Sequence, residues 1–413
     1  MSRWHRLGVA LALACLCVTA CAERRQDAAP ILVLISFDGW RWDYIDRVPA
    51  PNLRALAARG VRASELIPSF PTFTFPNHYT IVTGLYPGHH GIVANVIADP
   101  SFPERFTMSA ATARDARWWG GEPIWVTAIR QGLRAGATFW PGSEVAIEGV
   151  RPTYWETFDD KLPNVGRVAR ALERLGLPEA QRPAFMSVYF SEVDHAGHVY
   201  GPDSPELITA AAHLDLALGQ LVDGVKRLGL EDRTTLIVVS DHGMAPVADE
   251  RRIFLDDYVA LNTVDVVEQG AFLQAAPKIG TVDALYQQLH NANPHLTIYK
   301  REQLPARFHY PTQPRVQPII GMLDEGWTVT SHEREASRGE DAEARRGAHG
   351  FDPELRSMHA LFVAAGPPIR SGVVVAPFEN VHIYDLLCAI LKLTPAANDG
   401  DAAVTRGFLR RAE

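Results

Sequence analysis

Residues 31–37 form an apolar run interrupted only by Ser36, the pattern of a strand buried on both faces. Pro51 and Asn52 then open a helical spacing at Leu53, Leu56 and Ala57, which Gly60 stops. Comparable apolar runs recur at 185–190, 236–240 and 361–365, and a long amphipathic stretch at 206–228 separates two of them. Buried strands alternating with amphipathic helices predict an α/β fold whose central, mostly parallel sheet is flanked by helices on both faces. In such sheets the reactive residues gather just past the carboxyl ends of the strands. The residues that follow each run are therefore the candidates for chemistry.

Ahead of the first strand, Arg3 and Arg6 precede an apolar run of 14 residues at 7–20, shorter than the ~17–25 residues a spanning helix needs. That is a signal-peptide pattern. The run closes on Val18-Thr19-Ala20-Cys21, which resembles the bacterial lipobox, where the cysteine is acylated and becomes the mature N-terminus. Residues 1–20 thus read as a lipoprotein-type signal and 21–30 as a tether. The expected location is the periplasmic face of a bacterial membrane, the outer membrane foremost. Ordinary cleavage after Ala22, giving a soluble periplasmic protein, is the alternative.

Composition narrows the field. With 47% apolar and 21% charged residues, 31 Gly and 29 Pro in 413 positions, the chain is globular rather than disordered or collagenous. A formal charge of −8, which loss of Arg3 and Arg6 with the signal would take to −10, argues against binding a nucleic-acid polymer. A nucleotide-sized substrate stays possible, and contact with a membrane would run only through lipid on Cys21. Cysteines stand at 15, 17, 21 and 388, so no disulfide framework is available, and Cys388 reads as a small buried hydrophobe. The charged segment 333–346 reads as a solvated loop or helix face. Without repeats or a Gly/Ser linker, residues 31–399 read as a single catalytic domain and 400–413 as a C-terminal tail.

Acid and imidazole recur where the strands end. The first run ends Ser36-Phe37-Asp38-Gly39, the second is followed by Asp194-His195-Ala196-Gly197-His198, and the third ends Ser240-Asp241-His242-Gly243. Three carboxylates and several imidazoles on one sheet edge repel and stay poorly solvated unless divalent cations neutralise them. Mixed nitrogen and oxygen ligation suits zinc. His349, between Gly347 and Gly350, completes one set with Asp194 and His198, while Asp38, Asp241 and His242 make another. The nucleophile candidate lies in Thr72-Phe73-Thr74-Phe75-Pro76-Asn77-His78. With Pro76 as the first helical residue, Thr74 stands just before a helix start, where free N–H groups suit a phosphate. Thr72 is its rival.

These residues resemble the nucleotide pyrophosphatase/phosphodiesterase family of the alkaline phosphatase superfamily, most closely its single-domain bacterial members. The likeness is carried by the segments above together with Thr83-Gly84-Leu85-Tyr86-Pro87, His90-Gly91-Ile92, Gly121-Glu122-Pro123-Ile124-Trp125, Trp140-Pro141-Gly142-Ser143 and Met244. It implies an alkaline phosphatase-like fold and two Zn2+ per chain, one held by Asp38, Thr74, Asp241 and His242, the other by Asp194, His198 and His349. Thr74 is the implied nucleophile, passing through a phosphothreonine intermediate to release a nucleoside 5'-monophosphate from a nucleotide or dinucleotide-like substrate. Asn95 is the implied donor to a nonbridging phosphate oxygen, with Phe75 and Phe158 stacking the base and Met108 nearby. Phe73 stands where vertebrate relatives often carry Lys, which removes a cation for a polyphosphate tail. The competing expectations are the same metal chemistry on lysophospholipid or choline phosphodiesters, and a zinc- or nucleotide-binding lipoprotein without catalysis.

Overall fold

The computed structural model describes residues 29–108, 111–311, 313–338 and 345–411; the expected signal peptide and Cys21 lie outside them. The first half of the chain lays down β1 (Ile31–Phe37), α1 (Pro51–Ala58), β2 (Val61–Ala63), α2 (Thr74–Thr83) and β3 (Ala135–Thr138). It continues through α3 (Asn164–Leu175), β4 (Phe185–Phe190), α4 (Glu192–Tyr200), α5 (Pro205–Arg227) and β5 (Thr234–Val239). Local signals set the helix starts: Pro51 and Pro205 stand in the first turns of α1 and α5, and the Ser204 side chain accepts the Leu207 N–H.

Strand β1 pairs in parallel with β4 on one side and β5 on the other, and β3 pairs in parallel with β4. Every residue of β1 is buried, because the two-residue period of the strand feeds two cores. Ile31, Val33, Ile35 and Phe37 join a cluster with α1, α3 and α5, whereas Leu32 and Leu34 join another with Tyr79 and Ile81 of α2. Each fully buried side chain of this size contributes roughly 1.5–3 kcal/mol relative to exposure. The expected layering, helices on both faces of a central sheet, is the one observed.

After β5 the chain leaves this sheet to build a second, antiparallel one from β6 (Val264–Glu268), β7 (Phe272–Pro277), β8 (Leu296–Lys300) and β9 (Ile319–Leu323), with α6 (Val282–Leu289) packed on it. Alternation explains how the two sheets are joined. Leu273, Ala275 and Ile319 lie in a core of their own with Leu285 and Leu289, while Phe272 and Ile320 reach back into the main core. Two short strands close the excursion, pairing Ala245 with Ala348 and Pro246 with Gly347. The chain then re-enters the main sheet as β10 (Phe362–Ala365) and β11 (Val373–Val375), giving the order β11-β2-β10-β5-β1-β4-β3.

The run at 361–365 thus forms a buried strand, but β10 is antiparallel to both β5 and β2. The segment expected as a tail is packed instead. Following α7 (Ile383–Leu391), α8 (Ala402–Arg406) brings Phe408, 4% exposed, against the rings of Phe362 and Phe378 at 5.7 and 5.2 Å. Arg410 N–H donates to Pro368 O, which ties the end of the chain to the body through residue 410. Replacing Phe408 with Ala should cost about 3–5 kcal/mol of stability, as for other buried Phe truncations. Urea unfolding checks this, and a loss below about 1 kcal/mol would show that the segment does not anchor the sheet edge.

Candidate active site

Because β5, β1 and β4 are adjacent and parallel, their carboxyl ends deliver Asp241, Asp38 and Asp194 to one place. Asp38 follows β1 directly, and Asp241 and His242 lie just past β5. Asp194 and His198 stand four residues apart in α4, on one helix face. The strand ends are cross-tied: Gly39 N–H donates to Asp241 Oδ1 at 3.2 Å and Trp40 N–H to Ser240 Oγ at 2.9 Å. Gly39 has φ +69°, and a Cβ there would lie 2.9 Å from Asp194 Cα, so only glycine lets the two acids approach.

Three imidazoles are aimed by their Nδ1 atoms. His242 Nδ1 is 2.9 Å from Gly243 O, His198 Nδ1 is 2.9 Å from Gly347 O, and His349 Nδ1 is 2.8 Å from Thr72 O. Each carbonyl takes an Nδ1–H, so each Nε2 lone pair turns toward the carboxylates. His349 Nε2 lies 3.1 Å from His198 Nε2 and 3.6 Å from Asp194 Oδ1. His242 Nε2 lies 3.0 Å from Asp241 Oδ2 and 3.4 Å from Asp38 Oδ1. The glycine at 347 serves this aim, since a Cβ there would meet Gly197 O at 2.3 Å.

Burial makes the cluster electrostatically unbalanced. Burial and then the charges of Asp241 and Asp194 push the Asp38 carboxyl well above its usual range, although the Tyr189 hydroxyl donates to Asp38 Oδ2 and opposes this. Burial would raise Asp241 too, but His242 and His78 together hold it well below. Burial, with His242 and His198 behind it, drives the His349 imidazole well below its ordinary value. Asp38 Oδ1, Asp194 Oδ1 and Asp241 Oδ2 are buried without any hydrogen-bond partner. Orphaned carboxylate oxygens facing imidazole Nε2 atoms are the donor set of a divalent cation site. The groups Asp194/His198/His349, Asp38/Asp194/His242 and Asp38/His78/Asp241 each hold their ligand atoms within 4.8 Å of one another. All the sequence-predicted metal ligands are thus brought together, with Asp194 between the two halves.

Helix α2 starts at Thr74, two residues before Pro76, so Thr74 is the first helical residue rather than its predecessor, with Phe73 as N-cap. Its Oγ1 lies 3.3 Å from His242 Nε2. Thr72 is committed elsewhere: its hydroxyl donates to Phe351 O at 3.0 Å and accepts Gly350 N–H at 2.9 Å, while its carbonyl holds His349. Asn95 Oδ1 accepts the Phe75 N–H at 3.2 Å, which leaves the Asn95 amide N–H groups without an acceptor among the described residues. Phe75, Met108 and Phe158 line one cavity of about 380 Å³ with Trp119, and Thr74, Asp38 and Asp194 form its floor.

Two buried residues at the cluster escape a reading of strand ends. His78, one turn after Thr74, accepts from Ser36 Oγ at 2.7 Å through Nε2 and donates to Thr74 O at 2.9 Å through Nδ1, so it braces the helix start. The spacing of four from Thr74 was a usable signal. Tyr189 sits inside the apolar run of β4, where nothing in the periodicity separates it from core.

Chelator-treated protein should gain several degrees in melting temperature on adding zinc, and Asp194→Asn should remove a large part of that gain because Asp194 stands in two of the three candidate ligand groups. A parent melting curve insensitive to zinc would refute the cation site. Glu268, at the end of β6, accepts the Val96 N–H beside Asn95 at 3.1 Å, and burial pushes its carboxyl up to about 7. A raised folded value favours the protonated form, so this group's contribution is fully present below about pH 4.5 and is lost as pH rises through about 7. Glu268→Gln should therefore stabilise the protein more at pH 8.5 than at pH 5.5; equal effects in thermal melts at the two values would contradict the assignment.

Comparison with known proteins agrees with this geometry. Residues 32–352 match the family described as type I phosphodiesterase/nucleotide pyrophosphatase. A Schizosaccharomyces pombe protein named an uncharacterized pyrophosphatase/phosphodiesterase is 39% identical over 89% of this chain and 78% of its own. Human ectonucleotide pyrophosphatase/phosphodiesterase family member 5 is 35% identical over 95% of this chain and 80% of its own. A venom phosphodiesterase of Crotalus durissus collilineatus is 38% identical over 89% of this chain, which spans only 45% of that protein. The solved structure of the murine family member 5, an inactive variant in complex with AMP, superposes with a TM-score of 0.87 at 35% identity, covering 92% of this chain and 100% of that one. These relatives are eukaryotic. The chain belongs to the type I phosphodiesterase/nucleotide pyrophosphatase family.

Proposed function

We propose that this protein hydrolyses nucleotide phosphodiester or pyrophosphate bonds, releasing a nucleoside 5'-monophosphate, with two zinc ions as cofactors. The observation that carries the reading is the placement of the Thr74 hydroxyl at a helix N-terminus, between the cation cluster and an aromatic cavity. Asp38, Thr74, Asp241 and His242 would hold one ion, and Asp194, His198 and His349 the other. Two divalent cations supply charge for the attacking and leaving oxygens of an in-line displacement.

The remaining work falls to side chains. Thr74 Oγ gives up its proton and bonds to phosphorus while the bond to the leaving oxygen breaks, the leaving group departing with a proton taken from solvent or as an anion; water then attacks the phosphothreonine, the P–Oγ bond breaks, and one water proton restores the Thr74 hydroxyl. The Thr74 N–H and the Asn95 amide face the nonbridging oxygens, since neither has another acceptor. Phe75 and Phe158, with Met108 at the rim, receive the base, a role supported by the AMP bound in the murine relative. Glu144, also in this cavity, is engaged by Arg114 at 2.8 Å and by the Phe158 N–H at 2.8 Å. A choline or lysophospholipid head group would want that carboxylate free, which favours a nucleotide.

The same proposal places the protein in a bacterial cell envelope, exported by residues 1–20 and anchored by lipid on Cys21. Among the described residues no helix is long and apolar enough to cross a membrane.

Thr74→Ala should lower turnover of a nitrophenyl nucleotide diester by at least about a thousandfold with zinc content unchanged; activity within tenfold of the parent would remove Thr74 from the role. The parent should prefer that substrate to nitrophenyl phosphate and nitrophenyl phosphocholine, yield the nucleoside 5'-monophosphate, and lose activity to chelator with recovery on zinc. Zinc binding without turnover of any of the three would instead leave a binding lipoprotein.

A further inference from the structure

Asn95 lies in a loop, residues 91–99, that belongs to neither of the two large sheets; its Val96 and Ile97 pair with Thr107 and Phe106. The antiparallel sheet, with the chain that runs from β8 to β9, grips this loop along its length. The Tyr310 hydroxyl donates to Val93 O at 2.6 Å, two residues before Asn95, and Glu268 Oε2 accepts the Val96 N–H at 3.1 Å, one residue after it. Further out, Gln317 Nε2 donates to Ala98 O at 3.3 Å, while Arg315 donates to Gly91 O at 3.0 Å and pairs with Asp99 at 2.6 Å. One side chain links these holds. Gln274 on β7, 1% exposed, donates to the Tyr310 hydroxyl oxygen at 3.1 Å and accepts the Gln317 N–H at 3.0 Å. Burial holds the Tyr310 phenol well above its ordinary range, so it stays a donor.

Sealing the loop would not require polar groups, because an apolar sheet face excludes water at lower cost. A linked set of buried hydrogen bonds does something else: it fixes the loop's place along the sheet as well as its distance from it. The Asn95 side chain itself is turned by α2, through its Oδ1 accepting the Phe75 N–H at 3.2 Å. Its rotation is thus set by one element and its place by another. We infer that Tyr310 and Glu268 are positioning residues for Asn95, holding the main chain on either side of it so that its amide meets the nonbridging phosphate oxygen as charge develops there. Such a donor is sensitive to place, since a misplacement of about 1 Å can cost about a hundredfold in rate. Neither Tyr310 nor Glu268 is itself catalytic. The inference rests on the hydrolytic reading above, in which Asn95 donates to the phosphate.

The test measures kcat and KM of the full-length, zinc-loaded protein on the nitrophenyl ester of a nucleoside 5'-monophosphate, with Tyr310→Phe made both in the parent and in Asn95→Ala. Positioning predicts a fall in kcat of at least about tenfold in the parent, and of less than about threefold in the Asn95→Ala background, where the group being placed is gone. Glu268→Ala should behave alike. Glu268→Gln, which keeps an acceptor for the Val96 N–H, should recover most of that loss. Melting curves and zinc content establish that each variant is folded and loaded, and the two residues, on separate segments, give independent readings. A smaller loss of kcat in the parent, or the same loss in both backgrounds, overturns the positioning role and leaves hydrolysis through Thr74 standing, as does an Asn95→Ala variant within twofold of the parent. A parent that does not turn over the ester overturns the hydrolytic reading itself.

Discussion

Three carboxylates brought to one sheet edge, Asp38 and Asp241 buried and Asp194 partly so, are the constraint on which the rest of this structure depends. Parallel pairing of β5, β1 and β4 makes their convergence unavoidable, and burial of one oxygen of each removes the water that would screen it. Everything nearby serves to keep the acids close and to leave their inner oxygens open. A glycine with positive φ admits Asp194 to Asp38, the Tyr189 hydroxyl takes one oxygen of Asp38, and three backbone carbonyls turn three imidazoles so that their Nε2 atoms face inward. A protein that meant only to be stable would gain by replacing this cluster with apolar side chains. Retaining it is intelligible when cations are part of the folded state.

Around that cluster the chain distributes its chemistry by region. The main sheet and its loops provide the acids, the hydroxyl and the aromatic cavity, whereas a wall of arginines, Arg252, Arg334, Arg338 and Arg345, lies outside the main sheet. Thr72 links the two. Its carbonyl aims His349, its hydroxyl bonds Phe351 O and Gly350 N–H, and two residues later the same strand of backbone starts the helix that presents Thr74.

Much of the site was legible because its residues follow directly on runs that can only be buried strands. Asp38, Asp194, Asp241 and His242 are found by asking what comes after each run, and His349 by the glycines around it. His78 and Tyr189 were not, since one sits inside a helix and the other inside an apolar strand, and burial alone does not distinguish a core residue from one that braces a catalytic group. Of the fold, the central strands and α5 follow from periodicity. The direction of β10 does not, because an apolar run reads the same in either sense. The antiparallel sheet was hidden for a related reason: one face of β7 and β9 enters the main core, so Phe272 and Ile320 blur the alternation that would mark a separate layer. The charged segment 333–346 was legible as a solvated helix face, since its described residues are exposed or partly so, although some of its arginines also line a cavity.

The short ladder of Ala245 with Ala348 and Pro246 with Gly347 closes a loop of about a hundred residues at its neck. Chain entering the excursion and chain leaving it are clasped within two residue pairs, one position from His349. Whatever is built beyond the clasp reaches the metal cage only through that neck and through its packing on the main core. Descent with change could therefore rework the excursion where it does not hold the Asn95 loop, lengthening it, recharging it or trading arginines for other groups, while the cage kept its shape. Such an arrangement lets a lineage alter what it cleaves without having to reinvent how it cleaves.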